Sequence, residues 1–103
     1  MEEKMEEYSA ILDDNIKAHG NNEETVIAME ELAELIQAIS KVRRYGFDGQ
    51  HKDNLIEEIA DVDIVLTELT MMFDVDDKDF YSVLDRKVQR IKERLEENKD
   101  KRL

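Results

Sequence analysis

Apolar residues recur three and four positions apart along most of the chain, the spacing that gathers them on one face of an α-helix. Tyr8, Ile11, Leu12 and Ile16 mark a first helix, which Gly20 is expected to close in a left-handed cap. Asn22 is the predicted cap of a second, with Glu23 and Glu24 in its first turn complementing the helix dipole, and the pattern continues through Val42 to Tyr45. The segment from Gly46 to Lys52 carries two glycines and reads as a loop. Asp53 is the predicted cap of a third helix running to Phe73. Asp76 caps a fourth, whose seam is Phe80, Leu84, Val88, Ile91 and Leu95. The polar end, residues 98–103, is expected to fray. No stretch alternates as a strand does, and there is no linker, repeat or low-complexity tract. The expectation is a single all-α domain over residues 1–103, four helices joined by short turns.

Composition changes this picture in two ways. With 103 residues and neither Cys nor Pro, the chain is small for a self-sufficient core and has no disulfide to compensate, so partners or a metal are expected to contribute. On the third helix Ile56, Ala60, Ile64 and Met71 make the second side apolar as well, which argues for an oligomeric bundle, a dimer or a dimer of dimers. The formal net charge is -12, the wrong sign for nucleic acid or an anionic membrane surface. The first residues lack a cationic then apolar leader, and no 18 apolar residues follow one another, so a cytoplasmic protein is expected.

The acids on helices two and three are the informative departure from the pattern. Ile27, Ala28, Leu32, Leu35, Ala38, Ile39 and Val42 share one arc, and Glu31 projects from the middle of it with Glu34 at its edge. On the next helix Leu55, Val62, Val65, Leu66, Leu69 and Phe73 share an arc that contains Glu58 and is bordered by Asp61. Each helix thus offers a pair of carboxylates one turn apart on its apolar side. An ionised carboxylate buried without a partner costs more than a small domain can spare, so such groups are protonated, paired or bound to metal. Helix three has no cation between Asp53 and Phe73, and those of helix two cluster near its end. Hard oxygen donors without His or Cys suit Mg²⁺ or Mn²⁺, and Mg²⁺ takes substrate phosphates as further ligands. The bland alternative is boundary glutamates snorkelling to water, which two such pairs on the two most apolar helices make a poor account.

Ala28-Met29-Glu30-Glu31-Leu32-Ala33-Glu34-Leu35, followed by Glu58-Ile59-Ala60-Asp61-Val62, resembles the EExxE…ExxD signature of the MazG-like all-α nucleotide pyrophosphohydrolases. The resemblance implies Mg²⁺-dependent hydrolysis of a nucleoside triphosphate to monophosphate and pyrophosphate, in a bundle built from more than one subunit. Carried across by position, it implies that Glu31, Glu34, Glu58 and Asp61 hold metal. Glu30 fills the motif's first acid but turns off the site face, so it is expected to stand behind the ligands. The family adds basic residues after the second motif to hold phosphates, and here Lys87, Arg90 and Arg94 form a helical stripe, with Lys87 and Arg90 the better candidates. For Arg94 a solvated face paired with neighbouring glutamates competes. Where family members have an aromatic residue near the end of helix one, this chain has His19-Gly20.

Other chemistries lack their motifs. There is no P-loop, no dinucleotide fingerprint and no Glu-x-x-His pair of the di-iron bundles. Asp74 to Asp79 begins like a calcium loop but lacks the glycine and the terminal glutamate. His19 and His51 are expected to be solvated, and Met71 and Met72 to fill core or interface. Two alternatives to the pyrophosphohydrolase stay open: a phosphoribosyl-ATP pyrophosphohydrolase-like enzyme, and a non-catalytic acidic helical module whose acids pair with a partner's cations.

Overall fold

Glycine opens two of the three breaks between helices, at Gly20 and at Gly46–Gly49; the third, residues 73–76, has no glycine and holds Asp74 at φ 50°. The computed structural model describes the backbone of residues 2–102 and the side chains of residues 7–99, with four helices and no strand among them: α1 (Glu2–His19), α2 (Asn21–Tyr45), α3 (Gly49–Met72) and α4 (Asp77–Arg102). No helix among the described residues is long and apolar enough to cross a membrane.

The breaks differ in detail from those the sequence predicts. Gly20 has φ 86° and ψ 154°, a positive-φ region outside the left-handed helical well and open essentially to glycine, and its N–H still bonds the carbonyl of Ile16 at 2.7 Å. One residue therefore ends α1 and begins α2. The predicted cap Asn22 lies inside α2 and makes no side-chain cap bond; instead its carbonyl accepts from Thr25 Oγ1 at 2.8 Å. Likewise α3 starts at Gly49 rather than after Asp53, because Gly46 and Gly49 both take positive φ and turn the chain within three residues. His51 consequently sits in the first turn of α3, half-buried, with its ring stacked on Tyr45 at 5.0 Å. The Asp76 cap is present, its Oδ1 accepting from the Lys78 N–H at 2.9 Å. Helical backbone continues from Asn98 to Arg102, where fraying is expected from the sequence.

The chain divides into two units, residues 1–73 and 74–103. In the first, α2 and α3 form a long helical hairpin and α1 packs on both. Ala28 and Ala38 are 2% and 1% exposed, so small side chains let α2 approach α3 closely, and Leu12, Ile16, Val62 and Val65 complete the buried apolar set. Burial of each larger one contributes about 1.5–3 kcal/mol. That core is thin. Ile11, Met29, Ile36 and Ile56 remain 51–68% exposed on the same unit. The second unit is α4 with the turn before it, and its predicted seam from Phe80 to Leu95 is exposed.

Candidate metal centre

The close pairing of α2 and α3 brings acids face to face. Glu24 feels the charge of Glu68, Glu31 that of Asp61, and Glu58 that of Glu34; the two members of each pair are equidistant along the chain from Gly46. The hairpin therefore aligns three carboxylate rungs across its interface.

Of the predicted ligands, Glu31, Glu34 and Glu58 each offer an oxygen within 4.8 Å of the others. Asp61 stands beside them, close enough for its charge to bear on Glu31. Glu31, Glu58 and Asp61 are half-buried and Glu34 is exposed, as its place at the arc's edge requires. Glu30 is exposed and outside the cluster. Two atoms stand out: Glu31 Oε2 and Glu58 Oε2 are buried with no hydrogen-bond partner. Among the described residues no Lys or Arg pairs with these acids. Burial, then the neighbouring Asp61 and Glu34, push the Glu31 carboxyl up to about 7. The Glu58 carboxyl is raised too, by burial first and by Glu34 next. Orphaned buried oxygens, a donor set of hard carboxylates and the absence of a neutralising side chain fit a divalent cation of the Mg²⁺ class.

Beside the cluster opens a cleft of about 230 Å³, reached by Asn15 and His19 from α1, Glu24, Ile27 and Glu31 from α2, and Asp61, Ile64, Val65 and Glu68 from α3. Glu24 and Glu68 are 2% and 3% exposed, the most deeply buried acids among the described residues. Asn15 Nδ2 donates to Glu68 Oε2 at 2.9 Å, and His19 Nδ1 lies 3.1 Å from Glu24 Oε1 and 2.9 Å from the Asn15 carbonyl. Burial raises the Glu24 carboxyl, Glu68 adds to the rise, and His19 offsets part of it.

The sequence reading missed this second half. Glu24 passed as a dipole complement and His19 as a solvated side chain, and Glu68 lies beyond the acidic motif. The available signal was spacing: Glu24 precedes Glu31, and Glu68 follows Asp61, by two helical turns on the same face. Lys87 and Arg90 lie exposed on α4, in the second unit.

Comparison of the chain with protein-family models, with curated proteins and with solved structures gives no match.

Proposed function

We propose that the chain is a Mg²⁺-dependent, MazG-like nucleotide pyrophosphohydrolase, cleaving a nucleoside triphosphate to monophosphate and pyrophosphate. One observation carries the reading: two buried, unbonded carboxylate oxygens, on Glu31 and Glu58, within a three-glutamate cluster that no Lys or Arg among the described residues neutralises. An acidic module made to pair with a partner's cations would present its carboxylates outward, whereas these point into the helix pair. Bound there, Mg²⁺ would draw charge from phosphate oxygens and acidify a water at neutral pH. Glu31, Glu34, Glu58 and Asp61 would hold the cation, and Glu31 or Glu34 would share the proton that an attacking water gives up. Lys87 and Arg90 are assigned to the phosphates on the sequence resemblance. Self-association and a cytoplasmic setting belong to the same proposal; the thin core and the exposed Ile11, Met29, Ile36 and Ile56 of the first unit support the former.

Pyrophosphate release from a panel of ribo- and deoxyribonucleoside triphosphates, with and without Mg²⁺, tests it. Turnover is expected with Mg²⁺ alone or Mn²⁺ alone, and is expected to vanish in folded Glu58→Ala and Asp61→Ala proteins. Absence of pyrophosphate from every substrate, phosphoribosyl-ATP included, refutes the enzyme.

A further inference from the structure

The apolar residues of α4 form a stripe that calls for a cover. Phe80, Leu84, Val88, Ile91 and Leu95 recur three and four residues apart on one side of the helix, and they are 41–59% exposed. A helix draws most of its stability from packing such a side against another element, so five large side chains left open mark a docking surface. The charges around the stripe are sorted. Lys87, Lys92, Arg94 and Lys99 flank it with Asp85 the single acid beside them, whereas Glu93, Glu96 and Glu97 turn away from it. None of the four cations has a carboxylate in ion-pair reach, for Lys17 with Asp13 is the only Lys or Arg pair among the described residues.

The first unit offers the complementary surface. Residues 74–103 carry nine acids and nine cations, so the net charge of -12 belongs entirely to the unit before them. On α3, Ile56, Ile59 and Leu66 are 45–51% exposed, on the side opposite buried Val65 and Glu68. Asp63 stands in the same stripe, half-buried, and exposed Asp53 borders it; neither has a cation in reach among the described residues. At about 1.5 Å per residue the stripe from Ile56 to Leu66 runs about 15 Å, and that from Leu84 to Leu95 about 16 Å. Neither stripe suits a copy of itself. Pairing α4 with α4 would set cations against cations, and pairing α3 with α3 would set acids against acids.

We propose that the α4 stripe of one chain docks on the α3 stripe of a second copy, and reciprocally, which closes a two-fold dimer. It rests on the self-association included in the pyrophosphohydrolase reading and uses none of its chemistry. Lys92 and Arg94 meet Asp53 and Asp63 of the partner subunit at the border of the apolar contact. The pairing thus supplies both sets of unpaired charges at once.

Sedimentation of the full chain over a range of concentrations tests this with two charge-reversed forms, Lys92→Glu with Arg94→Glu, and Asp53→Lys with Asp63→Lys. The wild type is expected to dimerise. Each reversed form alone is expected to associate at least about tenfold more weakly, because both of its symmetric contacts then set like charges together. An equimolar mixture of the two is expected to recover wild-type association, since each interface of the mixed dimer again joins opposite charges. A wild type that stays monomeric, either reversed form dimerising as the wild type does, or a mixture that stays dissociated overturns the pairing. All four positions are exposed or half-buried, and circular dichroism checks the helix content of each form; where a double form loses helix, the single Lys92→Glu and Asp53→Lys forms take its place. Lys87 and Arg90 are untouched, so pyrophosphate release is read separately. Release from a monomeric wild type keeps the hydrolase and removes the pairing; a recovered mixed dimer without release does the reverse.

Discussion

Replacing Glu31 by Gln should stabilise the metal-free protein, by an amount that depends on pH. The Glu31 carboxyl sits at about 7 in the folded chain against an ordinary 4.5. Between those values the folded form keeps a proton that the unfolded form has lost, so raising the pH pulls the equilibrium toward unfolding. The stability tied to this group is complete below about 4.5, declines through the interval and is gone above about 7. At about 1.36 kcal/mol per pH unit the full interval corresponds to roughly 3.4 kcal/mol. Glu31 is half-buried, so solvent screens part of that, and the expected effect is about 1–2 kcal/mol. A glutamine never ionises. Glu31→Gln should therefore match the wild type near pH 4.5 and exceed it by about 1–2 kcal/mol at pH 8, a rise of about 4–8 °C in Tm for each kcal/mol. Urea denaturation at both pH values, in a chelator and at fixed protein concentration, measures this. Adding Mg²⁺ should then stabilise the wild type and not the variant. A variant less stable at pH 8, or one whose gain is the same at both pH values, refutes the strain attributed to the buried carboxylate.

Two other outcomes follow from the geometry. Ala38→Leu puts a larger side chain at a position only 1% exposed, and should lower stability by about 1–3 kcal/mol in the same denaturation assay. Lys87→Ala combined with Arg90→Ala should raise KM for the triphosphate at least about tenfold in steady-state pyrophosphate release while leaving the fold intact, since both side chains are exposed.

The acids Glu31 and Glu58 were legible in the sequence because each interrupts an otherwise apolar arc, and a carboxylate inside such an arc has few explanations. Glu24 and Glu68 were not, since Glu24 sits where any helix favours an acid and Glu68 stands outside the motif that drew attention to its neighbours. Their burial arises from pairing across the hairpin, which periodicity within one helix does not register. The entry to α3 eluded the pattern for a related reason. Gly49 reads as a breaker, yet its positive φ is what starts the helix four residues before the capping aspartate chosen by sequence. The relation of α4 to its surroundings was likewise beyond reach of the pattern, which gives the fourth helix a seam without a counterpart.

Because each rung of acids straddles Gly46 symmetrically, the cluster forms by simple zipping of neighbouring segments rather than by long-range assembly, and such local closure is fast. The same symmetry makes length a constraint: one residue added to either arm turns the acids beyond it by about 100° and unpairs them from their opposites, while a residue added at the bend leaves them in step. The bend thus tolerates a change of length that the arms do not.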